Sequence, residues 1–174
     1  EDVVQGLADA LCKARMIHIF GLRGCSTVFA QELQSRLVRF GRPVSACSDA
    51  LMMKIIGATL GPEDLVLVLS VSGITPEIVS AADIARTYGA RIGAITQAGT
   101  ALAERSDWLL PIQIEETDFV FKPSASRYAM MLAIDVLATT TALSDANANH
   151  EHLRRIKLAL DRHRGGDSRL PLGD

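Results

Sequence analysis

Aromatic residues make up only 5% of this 174-residue chain, and histidine occurs four times, at His18, His150, His152 and His163. The stretch between Phe20 and Asn149 holds no imidazole at all, so the side chain most often used for general acid–base work is missing from the body of the chain. Cysteine is limited to Cys12, Cys25 and Cys47, with no C-x-x-C or zinc-like spacing. That pattern excludes a disulfide scaffold and fits three free thiols in a reducing compartment. His150 and His152 lie too close together, with too few partners, to make a metal site. No apolar run approaches a membrane span and no signal peptide is visible, so the expected location is cytoplasmic, with no membrane partner. Neither sign of charge dominates: 18 Lys and Arg against 20 Asp and Glu leave a net charge of -2. Such a balance argues against nucleic-acid binding by this stretch on its own, which needs clustered cations.

Apolar residues are plentiful, at 48%, enough for one full core, with no internal repeat or second domain. Their arrangement is most informative at residues 66–77, VLVLSVSGITPE. The run 65–69 follows the turn-like Gly61-Pro62-Glu63-Asp64 and is too short and too continuously apolar for a surface helix, so it reads as a strand buried on both faces. Thr75 suits an N-cap and Pro76 the first helical position, with Ile78, Val79, Ala82, Ile84 and Ala85 as apolar positions of a helix over 76–88. A strand thus runs into a helix N-terminus, where free amides and the helix dipole favour an anion. Gly73 permits close approach there, and Ser70, Ser72 and Thr75 add hydroxyls. An ordinary capped turn explains one such junction equally well. Glu77, in the first turn, repels a phosphate unless it points away, finds a cation or acts as a base.

A second junction has the same form. Residues 16–20 (MIHIF) read as a strand, 21–26 (GLRGCS) as a turn and 27–40 as an amphipathic helix. Strands are also expected at 43–47, 91–96 and 108–112, alternating with helices over 50–58 and 100–105. The result is one α/β domain of flavodoxin-like type, a three-layer sandwich around a five-stranded parallel sheet. In that strand order ligands bind between the loops after the first and third strands, which are the two junctions just described.

Four segments in order, LVLVLSVSGITPE, GARIGAIT, TALAERSDWLLPI and SRYAMMLAIDVL, resemble the sugar isomerase (SIS) fold, and within it the effector-binding domain of RpiR-family transcriptional regulators. The resemblance covers about residues 7–142. It implies a phosphosugar-binding domain over 1–149 followed by a C-terminal helix and tail over 150–174. It implies a phosphorylated sugar or sugar acid as ligand, no cofactor, no metal and no catalytic residue. Carried onto this chain, it places Gly24, Ser26, Ser70, Ser72, Gly73 and Thr75 at the phosphate and sugar hydroxyls. It also implies DNA binding only through a helix-turn-helix domain outside these residues. The first loop departs from the family's G-x-G-x-S by an arginine and one extra residue, which leaves either Ser26 or the amide of Cys25 facing the ligand. Arg23 is either a bidentate phosphate clamp or a solvated surface residue.

The other function class is an aldose–ketose phosphosugar isomerase, which needs a positioned base. Glu32 and Glu77 are the candidates. A dimerisation module with a vestigial pocket is a third reading. The helix expected over 128–143 is apolar nearly all the way round, more than a small monomer covers, so a homodimer or higher homo-oligomer is expected. The helix over 3–14 is expected to join that interface. Ser124 and Ser126, at the start of the apolar helix, would complete their own or a neighbour's pocket. Asp135 in that helix is expected to be a structural hydrogen-bonding group. The last helix, over about 151–163, carries Arg154, Arg155, Lys157, Arg162 and Arg164 on what reads as a solvated face.

Overall fold

Alternate positions along the central strands point to two different helical layers, and this sets the architecture. The computed structural model describes residues 2–114 and 125–164. In chain order its elements are α1 (Val3–Lys13), β1 (Met16–Phe20), α2 (Gly24–Val38), β2 (Val44–Cys47), α3 (Ala50–Gly57), β3 (Asp64–Leu69), α4 (Pro76–Thr87), β4 (Arg91–Thr96), a 3-10 turn (Ala103–Arg105), β5 (Trp108–Pro111), α5 (Ala125–Ser144) and α6 (Ala146–His163). The strands form one sheet in the order β2-β1-β3-β4-β5, with every neighbouring pair parallel. Every residue of β3 is buried, as its continuous apolar run requires. Leu65, Leu67 and Leu69 pack with Ile17 and Ile19 against α1, α2 and α5. Val66 and Val68 pack with Phe20, Ile92 and Ala94 on the side of α3 and α4. Asp64 opens β3 from a buried position, taking a charge-assisted bond from Arg15 at 2.7 Å and accepting from the Gly61 amide at 3.0 Å.

Several boundaries differ from the expectations. Helix α2 starts at Gly24, three residues before the expected start. The helix expected at 100–105 is only the 3-10 turn. Strand β5 stops at Pro111, and α6 begins at Ala146 rather than at 151. In α6 the guanidinium groups of Arg154 and Arg155 both pair with Glu151, whose carboxyl they hold down at about 2. Lys157 pairs with Asp161. The basic face is therefore offset only in part within its own helix, since Glu151 serves two arginines. Asn149 is the buried residue of α6; its amide donates to the carbonyls of Thr141 and Ala142 and closes the end of α5.

Helix α5 divides into two faces. Met130, Ile134, Leu137 and Ala138 are in the core, whereas Tyr128, Leu132, Val136 and Leu143 are 68%, 63%, 42% and 70% exposed. Asp135 is half exposed and paired with Arg36 at 2.6 Å, so its carboxylate never faces the cost of burial. Among the described residues no single helix is long and apolar enough to cross a membrane.

Candidate functional site

The strand order reverses between β1 and β3, so the loops leaving these two strands diverge and leave a crevice at the carboxyl end of the sheet. The loop after β3 is tightly built. The Ser70 hydroxyl is buried and accepts the Gly73 amide at 3.2 Å, so it orders the turn. Gly73 has φ 63°, and a Cβ there would lie 2.5 Å from Thr96 Oγ1. The Gly73 carbonyl accepts the Leu102 amide at 3.0 Å, which seats the loop on the segment after β4. Thr75 is the N-cap of α4 in backbone conformation but its side chain makes no cap hydrogen bond, and Pro76 follows at the first helical position. Pro76 has no amide and that of Glu77 turns to its own carboxylate, so only part of the first turn of α4 is open to an anion at the positive end of the helix.

The loop after β1 is shaped by two backbone features. Gly21 has no room for a side chain, because a Cβ would collide with the carbonyl of Ser26 in the first turn of α2. Arg23 takes φ 64° and ψ 151°, a conformation that costs a non-glycine residue about 1–3 kcal/mol. That turn lets α2 start at Gly24, which puts Ser26 inside the first helical turn rather than in a preceding loop. Cys25 is half-buried against the core as a small filler.

Arg23 connects the two loops. Its Nη2 donates to Glu77 Oε1 at 2.5 Å, although the guanidinium side chain is 69% exposed. Of the three options open to Glu77, this is the cation. Its own backbone amide and then the Arg23 guanidinium hold its carboxyl below the usual carboxylate range. The other acid weighed as a base, Glu32, is paired with Arg36 at 2.7 Å.

A cleft of about 210 Å³ opens at the same end of the sheet, lined by Val71, Ser72, Gln97, Ile112, Ile114 and Ser126. It brings Ser72 together with Ser126, which sits buried at the start of α5 and faces the cleft of its own chain. Ser70 lies beneath the loop, and Gly24, Ser26, Gly73 and Thr75 belong to the two junctions without lining this cleft. Ser124 lies outside the described residues. Sequence reasoning missed Gln97, Ile112 and Ile114. All three follow the ends of β4 and β5, so the rule that strand ends line the site would have found them. Thr96 was also missed; it is fully buried, its Oγ1 has no hydrogen-bond partner, and it lies directly under Gly73.

The sequence profile of the SIS domain matches residues 10–140. The chain belongs to the SIS domain family. This SIS domain is 39% identical over 158 residues to the HTH-type transcriptional regulator HexR of Pseudomonas aeruginosa, covering 91% of this chain and 55% of that protein. It therefore spans about half the length of that relative. Its fold matches the sugar isomerase domain of an RpiR transcription factor from Sphaerobacter thermophilus with a TM-score of 0.78 and 20% identity, over 89% of this chain and 85% of that one. It also matches Vibrio vulnificus NanR, solved in complex with ManNAc-6P, with a TM-score of 0.80 and 21% identity, over 90% of this chain and 60% of NanR. Structures described as putative phosphosugar isomerases share the fold too.

Proposed function

We propose that this SIS domain is the phosphosugar-binding sensor and dimerisation module of a cytoplasmic RpiR-type bacterial transcriptional regulator. DNA would be contacted by a helix-turn-helix domain that these residues do not include. The ligand is a phosphorylated sugar or sugar acid, its phosphate held between the two junctions by the amides and hydroxyls of Gly24, Ser26, Ser72, Gly73 and Thr75. Ser70 orders the loop from beneath, and Ser126 meets the sugar. The sensor comprises 1–149 with 150–174 appended to it, a division that falls inside α6 just after the buried Asn149. The exposed stripe Tyr128, Leu132, Val136 and Leu143 is the dimer surface, and a second exposed apolar patch on α3, Leu51, Met52 and Ile55, suits higher assembly.

The observation that favours a sensor over an isomerase is the state of Glu77. A general base for proton transfer between sugar carbons works best with its pKa raised towards neutrality, and Glu77 is pushed the other way, chiefly by its own backbone amide. Incubating the chain with a bound phosphosugar in deuterated water should therefore give no ketose–aldose conversion and no deuterium at the carbon beside the carbonyl, followed by NMR. Turnover above the protein-free rate that disappears in Glu77→Gln or Glu32→Gln would make the protein an isomerase.

A thermal-shift screen of sugar phosphates and phosphorylated sugar acids tests the site itself, since a ligand at a hundred times its Kd stabilises the fold by about 2.7 kcal/mol. With the ligand in hand, Ser72→Ala should weaken binding by about 1–3 kcal/mol, as for a lost bond to a charged group, at an unchanged melting temperature. Ser70→Ala should lower both binding and melting temperature, because it leaves the Gly73 amide without its acceptor. Equal affinity for Ser72→Ala and the unaltered chain would move the ligand elsewhere.

A further inference from the structure

Arg23 and Glu77 meet from positions 54 residues apart, and neither helix depends on the pair to form. Helix α4 is started by Thr75 and Pro76, and α2 follows an arginine whose backbone conformation suits glycine better. The Glu77 carboxylate lies in the first turn of α4, beside the amides that would receive an anion, and is itself an anion answered by an arginine. We propose that Glu77 is a built-in competitor for the ligand's phosphate. Without ligand it holds the Arg23 guanidinium at the rim of the crevice; a phosphate monoester takes Arg23 from it, and Arg23 then closes over the phosphate as a latch from the loop after β1 to the loop after β3. The inference rests on the phosphosugar-site reading given above.

Three physical points carry the exchange. An ion pair as exposed as this one, 69% on one side and 32% on the other, contributes little and is easily given up. A phosphate monoester offers nearly two negative charges and three acceptor oxygens to the planar guanidinium, where the carboxylate offers one charge and two oxygens. The loop under the latch also has room to improve its own bonding. Thr96 Oγ1, fully buried beneath Gly73, has no hydrogen-bond partner in this arrangement, so a small shift of residues 70–75 that gives it one is favoured.

Calorimetric titration with inorganic phosphate and with fructose 6-phosphate reads the latch. Glu77→Gln frees Arg23 and removes a repelling charge, so it should bind both about threefold to fivefold tighter, the scale of an exposed ion pair. Arg23→Gln should bind about tenfold weaker or worse, as for a lost charge-assisted bond, and the double variant should lie between Arg23→Gln and the unaltered chain, because the repelling charge is gone as well. Glu77→Gln binding no tighter than the unaltered chain, or both single variants losing affinity alike as for a static strut, overturns the latch. Melting curves show whether each variant is folded. The liganded structure of the unaltered chain gives a second reading that needs no variant. Arg23 on the phosphate oxygens supports the latch, and an intact Arg23–Glu77 pair beside a bound phosphate overturns it. If neither probe binds the unaltered chain, while the thermal-shift screen also finds no ligand, it is the phosphosugar site that fails and the latch with it.

Discussion

Gly73→Ala is expected to lower stability by about 2–3 kcal/mol and to remove phosphosugar binding, through a left-handed backbone and an overfilled space acting together. The backbone at Gly73 has φ 63°, and the new Cβ would lie 2.5 Å from Thr96 Oγ1 and 2.8 Å from Thr100 Cβ. Thr96 is fully buried at the end of β4 and cannot swing away, so the loop itself must lift. Lifting it breaks the bond from the Gly73 amide to Ser70 and the one from Leu102 to the Gly73 carbonyl, and disperses the donors proposed to hold the phosphate. Gly24→Ala separates the two effects. Gly24 also has a positive φ, 52°, but open space around it, so only the conformational cost of about 1–2 kcal/mol remains. Denaturant midpoints with unchanged slopes, together with calorimetric titration, measure both. A Gly73→Ala protein that binds normally would mean the loop is not the phosphate cradle.

Two aspartate substitutions two residues apart on α5 are expected to fail in different ways. Ile134 has no exposed surface, so Ile134→Asp places an unpaired charge in the core and should cost about 4 kcal/mol or more, enough to unfold a typical domain. Leu132 is 63% exposed, so Leu132→Asp should change the stability of an isolated protomer by about 0.5 kcal/mol or less while splitting a dimer built on that stripe. Sedimentation and circular dichroism distinguish a folded monomer from an unfolded chain. An unaltered chain that is monomeric across micromolar concentrations would remove the dimer proposal.

The strands were legible because their pattern is local. The apolar run ending in S-x-S-G announces β3 and its turn, and the parallel order follows from alternation with helices. What was not legible depends on three dimensions. The composition of α5 shows too much apolar surface for one face, yet only packing against the sheet tells Ile134 from Leu132. The early start of α2 was hidden because Gly24 reads as a turn residue, whereas Arg23 and Gly24, both at positive φ, make the turn at the point where the helix begins. The Arg23–Glu77 pair lies outside any local pattern, since it forms only when the loops after β1 and β3 come side by side. The walls of the cleft are an intermediate case: Gln97 and Ile112 become neighbours of Ser72 only through the sheet, yet each follows a strand end, the position that the α/β rule singles out.

The edges of the sheet carry a consequence for how this chain meets others. Both outer strands, β2 and β5, have four residues, and β5 ends in Pro111, which has no amide to donate. Short rims of this kind, one ending in proline, are poor templates for a foreign strand. Copies of the chain crowded together thus find little at the rims of the sheet on which to extend strand by strand into a fibre, which leaves the helical faces as the surfaces by which they can meet.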